Sequence, residues 1–219
     1  MTNATNGAVT VIDYRAGNLA SVARALDHLG ARWEITAEPA AVARAERVIF
    51  PGVGAAGAAM ENLRAGGLCE PIRAVVAAGR PFLGICLGAQ ILFSHSEEDG
   101  AECLGLLAGN VVPFARDMRA GGERLKVPHM GWNTVKVLGP HPVLAGVAPE
   151  DRFYFVHAYR VAPADESVVL GTTEYGVEFP SIVGRRNLIA CQFHPEKSGE
   201  PGLALLARFL AWDGGAGAR

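Results

Sequence analysis

The chain has 219 residues, half of them hydrophobic, with 20 Lys and Arg against 22 Asp and Glu for a formal net charge of −2. That length and apolar content suffice for a sizeable single core, and the balanced charge gives no general attraction to nucleic acid or to an anionic membrane. No apolar run approaches the roughly 20 residues that span a bilayer, and Met1 to Gly7 is polar without a leader pattern, so a soluble cytoplasmic protein is expected.

In chain order, Ala8 to Asp13 (AVTVID) is a β-branched apolar run of strand length. After Gly17-Asn18 an apolar pattern at helical spacing follows, Leu19, Val22, Ala23, Leu26 and Leu29, with Asn18 as N-cap and Gly30 as stop. Ala31 to Thr36 is a second strand, Arg47 to Phe50 a third that runs into Pro51-Gly52-Val53-Gly54, Pro71 to Ala78 a helix and Pro81 to Ile85 a fourth strand. Buried strands alternating with helices imply a parallel sheet with right-handed crossovers. From Leu106 the pattern changes to short strands joined by Gly and Pro turns: Asn110 to Phe114, Trp132 to Leu138, Phe153 to Val161 and Val168 to Thr173. Antiparallel additions to a mixed sheet are expected there. Leu188 to Phe193 reads as one more central strand and Leu203 to Trp212 as a closing amphipathic helix. No linker or charge block divides the chain, so residues 1–219 read as one domain with an ordered core over 8–213. Ala and Gly clusters such as AAGAAM and the tail GGAGAR read as compositional bias.

Cys69, Cys86, Cys103 and Cys191 stand far apart with no CxxC pair, so no metal site or redox dithiol is suggested and free thiols are expected. Cys86 is set apart by its neighbours. Gly84-Ile85-Cys86-Leu87-Gly88 puts it between glycines where a strand gives way to a helix starting near Leu87, the G-x-nucleophile-x-G elbow. Side chains at Gly84 or Gly88 would crowd the neighbouring backbones in so tight a turn. The thiol is then exposed at the sheet's C-terminal edge, where a helix N-terminus favours the thiolate and the Leu87 N–H can receive an oxyanion. Gln192-Phe193-His194-Pro195-Glu196 follows the late strand and supplies a base with a carboxylate two residues on. Both strand ends can converge on the crevice of an open α/β sheet. His28, His95 and His141 lie in polar helix ends or Pro-flanked loops and read as surface residues.

Together PGVG at 51–54, GICLGAQ at 84–90 and QFHPEKS at 192–198 resemble the class I (triad) glutamine amidotransferases over most of the chain. The resemblance implies a flavodoxin-like α/β fold, an open and mostly parallel sheet flanked by helices with additional antiparallel strands. It implies Cys86 as nucleophile, His194 as general acid and base, and Glu196 as the group that orients it. It further implies an oxyanion hole from the Gly52, Val53 and Leu87 N–H groups, glutamine contacts from Gln90, Ala158 and Tyr159, and no metal or cofactor. IDYRAGNL at 12–19, KVPHMGWN at 126–133 and FYFVHAY at 153–159 are similar, within that class, to the glutaminase subunits of imidazole glycerol phosphate synthases. That similarity implies a separate cyclase subunit in a heterodimer, faced by Asn18, Met130, Trp132 and Lys197, to which ammonia is channelled for histidine biosynthesis. Arg15, Ala89 and Ala158 depart from the family's commoner residues: glycine, methionine or histidine, and a small hydroxyl residue. Ala158 leaves only a backbone contact to glutamine at that point.

Rival readings are separated by the same segments. A cysteine peptidase or deglycase would share G-x-C-x-G but lack HPE and KVPHMGWN, and a silent binding subunit would have lost a triad member. A glutaminase serving a pyridoxal phosphate or anthranilate synthase is the strongest competitor, and KVPHMGWN speaks against it.

Overall fold

The computed structural model describes residues 7–15 and 19–215. In the first half, strands β1 (Val9–Ile12), β2 (Trp33–Thr36), β3 (Arg47–Gly52) and β4 (Phe82–Cys86) alternate with helices α1 (Leu19–His28), α2 (Pro39–Arg44), α3 (Ala56–Ala65) and α4 (Cys69–Ala77). The one-turn α5 (Leu87–Gln90) follows β4 directly. Short strands come next: β5 (His95–Ser96), β6 (Ala101–Glu102), β7 (Gly109–Pro113), β8 (Arg119–Ala120), β9 (Glu123–Arg124), β10 (His129–Thr134) and β11 (Lys136–Val137). The chain closes with β12 (Arg152–His157), β13 (Tyr159–Pro163), β14 (Val169–Glu174), β15 (Glu178–Arg185), β16 (Leu188–Cys191) and α6 (Gly199–Ala211).

Eight strands form the main sheet in the order β11-β14-β15-β16-β4-β3-β1-β2. From β16 to β2 every pairing is parallel, and β15, β14 and β11 extend that edge antiparallel. Both faces of the central strands β1, β3, β4 and β16 are covered, which is why these read as nearly continuous apolar runs, while the edge strand β2 is partly exposed and carries Glu34 and Thr36. The period of two sorts the side chains. Val48, Phe50, Phe82, Leu188 and Ala190 pack with α2, α3 and α4, while Ile49, Leu83, Ile85 and Ile189 pack with Val22 and Leu26 of α1 and Leu205, Leu206 and Phe209 of α6. Each such fully buried Phe or Leu contributes about 1.5–3 kcal/mol. The α6 C-terminus is held by the buried Arg47, whose guanidinium donates to the Phe209 and Trp212 carbonyls at 2.6 Å each.

Several expectations are adjusted. Trp132 to Leu138 is two strands: β10 pairs with β12, while β11, beyond the buried Val135, crosses to the main sheet. Phe153 to Val161 likewise breaks at Ala158, where β12 passes to β13 and the second sheet, β13-β7-β5-β6. AAGAAM opens α3, with Ala56 and Ala59 buried. The helix after the elbow lasts only one turn, too few aligned peptides for the dipole assistance expected at Cys86. His141 is not a surface residue: it is half-buried, accepts from the Val143 N–H and meets the Trp212 ring edge at 5.0 Å. The Asn18 cap and interface assignments lie outside the described residues. Arg15 takes φ 65°, the left-handed region, with its N–H on Asp13 Oδ1 at 2.8 Å. A non-glycine residue in that region costs about 1 kcal/mol, a cost that glycine at this position would not carry.

Candidate active site

Three adjacent parallel strands deliver the site. Pro51 to Gly54 leaves the end of β3, Cys86 ends β4, and His194 follows β16, so the three motifs meet at the carboxyl edge of neighbouring strands. They surround a cavity of about 250 Å³ lined by Val53, Gly54, Cys86, Leu87, Gln90, Ala158, Tyr159 and His194, and also by Glu98, Val156 and His157. Gly52 stands one residue behind, opposite Cys86 in the strand register.

Cys86 has φ 54° and ψ −111°, a conformation rare for a side-chain-bearing residue. The turn is made possible by close backbone packing. A Cβ on Gly88 would run into the Phe50 carbonyl oxygen, and one on Gly52 would lie 2.8 Å from the Gly88 nitrogen. The thiol points to the Val156 carbonyl at 3.9 Å.

His194 is fixed by its backbone. Its N–H donates to the Tyr154 carbonyl at 2.9 Å; its own carbonyl accepts from Ser198 Oγ at 2.6 Å, and that same Oγ accepts from the Tyr154 N–H at 3.0 Å. Gly202 admits α6 onto this turn, since a Cβ there would strike the Pro195 carbonyl. On the ring, Nδ1 lies 2.8 Å from Glu196 Oε1, both side chains being 1% exposed. Nε2 is buried without a hydrogen-bond partner, an arrangement common in catalytic pairs before substrate arrives. Burial disfavours the cation, but the Cys86 sulfur and the Glu196 carboxylate outweigh it and raise the His194 pKa to about 10. The imidazolium is therefore available at neutral pH to protonate a leaving group.

Gln90 is buried, its Nε2 donating to the Tyr159 carbonyl at 3.1 Å and to Gln192 Oε1 at 3.0 Å. With both hydrogens engaged, Gln90 has its oxygen left for a ligand. Met130 and Trp132 are 62% and 50% exposed, and Lys197 is exposed. They stand outside the cavity yet close to it through the backbone: Met130 faces Val156 across the β10/β12 ladder, and Val156 carries the carbonyl that meets Cys86.

Sequence reasoning missed Glu98, His157, Ser198 and Gln192. Ser198 and Gln192 lie inside QFHPEKS, a cue that went unused. Glu98 adds a carboxylate to the cavity, its Oε2 accepting from the Ala56 N–H at 2.9 Å at the start of α3. Burial, the larger influence, raises its pKa.

His157 donates from Nδ1 to the Tyr159 carbonyl at 2.7 Å, so its Nε2 accepts from His129 Nδ1 at 3.0 Å, and Asn133 reaches His129 Nε2 at 3.4 Å. Burial lowers the His129 pKa to about 4 and the His157 pKa to about 3, so both rings are neutral at pH 7. The unfolded chain takes up these protons first as pH falls. The pair's contribution is whole above about pH 6.5 and declines toward pH 4, by roughly 1.4 kcal/mol per pH unit for each ring. His129→Phe keeps the stack on Phe155 and Tyr175, and its urea-unfolding stability is expected to fall less steeply between pH 6.5 and 4.5 than that of the wild type. Identical slopes would place a proton on His129 already in the folded state.

The sequence profile described as "Glutamine amidotransferase class-I" matches residues 10–212. A protein of Aromatoleum aromaticum named "Imidazole glycerol phosphate synthase subunit HisH" is 51% identical over 208 residues, covering 93% of this chain and 98% of that protein. Its namesake in Dechloromonas aromatica is 52% identical over 208 residues, covering 93% and 96%. Among solved structures, one titled "Crystal structure of glutamine amidotransferase" superposes with a TM-score of 0.70 at 21% identity over 92% of this chain and 98% of its own. "Structure of PurLQS from Thermotoga maritima" does so with 0.70 at 19% over 93% and 97%. These two bear on the fold alone.

Proposed function

The chain belongs to the class-I glutamine amidotransferases and, within them, to the glutaminase subunits of imidazole glycerol phosphate synthase, and on that premise we propose how its residues carry the reaction. As a glutaminase subunit in histidine biosynthesis it hydrolyses glutamine and supplies ammonia. We take residues 1–219 as one amidotransferase domain, working in the cytoplasm; no helix among the described residues is long and apolar enough to cross a membrane.

The Cys86 thiolate attacks the side-chain amide carbon of glutamine. The oxyanion is received by N–H groups of the Gly52–Val53 loop and of Leu87, and the His194 imidazolium protonates the departing ammonia. Water, activated by the same ring, hydrolyses the thioester, and glutamate leaves. Glu196 holds the ring and balances its charge. Ala158 and Tyr159 border the substrate, Gln90 offers it an acceptor, and Glu98 is placed to receive the α-ammonium. One observation carries this reading: nucleophile, base and loop share one small cavity while a fully buried carboxylate lies 2.8 Å behind the base.

The subunit's partner in this proposal is the cyclase, docked over Met130, Trp132, Lys197 and Asn18, with ammonia passing to it directly. Support comes from the exposure of two large apolar side chains on the strand that backs Val156. Pressure on β10 is transmitted to β12 and so to the cavity wall. Glutamate release by the purified chain is expected to rise at least about tenfold, or about 1.4 kcal/mol of barrier, when cyclase and its nucleotide substrate are both added. A lone subunit already at the full rate would remove the partner's role, and stimulation by a different synthase only would reassign it.

A further inference from the structure

Gln192 and Gln90 are amides buried to 2% and 4% exposure beside the nucleophile. An amide taken out of water is costly unless each polar atom is matched, so the pair's orientation is informative. Its direction is set by its anchor. The Tyr159 carbonyl can only accept, and it takes Gln90 Nε2 at 3.1 Å and His157 Nδ1 at 2.7 Å. The second Gln90 hydrogen then meets Gln192 at 3.0 Å, so the Gln192 atom on that side is its oxygen. Its NH2 group is left facing Cys86 Sγ at 3.7 Å, within range for a donor to sulfur. Turning Gln192 round would set two NH2 groups against each other and point a carbonyl at the sulfur. The strand end is held as well, the Gln192 N–H donating to the Ser181 carbonyl at 2.9 Å.

A donor here complements the His194 imidazolium. The Val156 carbonyl that meets the thiol repels the thiolate once the proton has gone, and an N–H from Gln192 offsets that repulsion on another side of the sulfur. We propose that Gln192 is a catalytic residue that donates an N–H to the Cys86 thiolate, and that Gln90 is the positioning residue that turns the Gln192 amide toward it. The same bond assists the sulfur as it is expelled when the thioester breaks down. This inference rests on Cys86 being the nucleophile proposed above.

The test is iodoacetamide alkylation of the full chain as a function of pH, with Cys86→Ala subtracting reaction at the other cysteines, alongside glutaminase kinetics. Gln192→Met removes the donor at similar size. Its alkylation midpoint is expected to rise by about one to two pH units, the effect of a hydrogen bond to a charged acceptor. Its kcat at neutral pH is expected to fall about tenfold or more with KM within about threefold. Gln192→Glu keeps the shape and still accepts from Gln90 but turns a carboxylate oxygen to the sulfur, so its midpoint is expected to rise further; it carries the comparison alone if the Met chain does not fold. Wild-type midpoints in the folded variants would overturn the donor role, even with kcat reduced, since packing alone would then explain the loss. Full turnover by Cys86→Ala would instead remove the nucleophile itself, and the donor role with it.

Discussion

Replacing Cys86 by alanine is expected to lower glutamate release by about 10⁴-fold or more, because no other group in the cavity can form the thioester. The matching variant, Cys86→Gly, is expected to be equally inactive but more stable than the alanine chain by about 1 kcal/mol or more. The difference isolates the Cβ: at φ 54° and ψ −111° a side chain strains the backbone whichever atoms it bears, and only glycine relieves it. In most positions the order is the reverse, since glycine has more freedom to lose on folding. Urea-unfolding midpoints of the two chains, with turnover measured in parallel, check both statements. An alanine chain as stable as the glycine one would mean that the elbow holds no strain, and appreciable turnover by either would mean that the sulfur is not the attacking atom.

That strain shows how the site is built. The flanking β4 and the turn into α5 hold Cys86 in an unfavourable conformation, and they do so because β3, β4 and β16 are buried on both faces and cannot yield. His194 is treated similarly from the other side, with Ser198 and the β12 backbone gripping both ends of its peptide. Burial alone would leave that imidazole neutral, as it does His157 and His129; a sulfur on one side and a carboxylate on the other reverse the outcome for His194. Three buried histidines near one cavity thus divide into a charged one that handles protons and a neutral pair, His129 donating to His157 and His157 to the Tyr159 carbonyl.

Legibility in the sequence followed the range of the interactions. The central parallel strands β1, β3, β4 and β16 were readable because burial on both faces writes them as nearly unbroken apolar runs, and the elbow and HPE because each packs its chemistry into a few consecutive residues. Helices α2 and α3, PAAVAR and AGAAMENLRA, were not, since alanine-rich segments offer little contrast between faces. Strand β15 was hidden by Pro180, which reads as a breaker although the strand runs through it, Pro180 lying opposite Thr172 of β14. Glu98 and Gln192 escaped for a different reason. Gln192 reaches the nucleophile across 106 residues of chain and Glu98 caps a helix 42 residues back, and no local pattern encodes such convergence.

Gly88→Ala is expected to be among the most damaging single-methyl changes in the chain. The added Cβ would fall on the Phe50 carbonyl oxygen and 2.9 Å from its carbon, both main-chain atoms in the middle of β3. No rotamer change can make room, so α5 must lift from β3 or β3 must leave the sheet. Overpacking into flexible surroundings costs about 1–3 kcal/mol, and against fixed backbone the loss is expected at the upper end or beyond, a large share of a total stability of about 5–15 kcal/mol. Gly84→Ala supplies the contrast, because its nearest neighbours lie at 3.0 to 3.1 Å and include the Leu92 side chain, which can shift by a few tenths of an ångström. Urea unfolding should therefore rank the chains wild type, Gly84→Ala, Gly88→Ala in falling stability, with turnover falling in the same order as the elbow is displaced from His194. A Gly88→Ala chain with a wild-type midpoint would mean that α5 does not rest on β3 as closely as described, and the reason given for glycine at both Gly52 and Gly88 would fall with it.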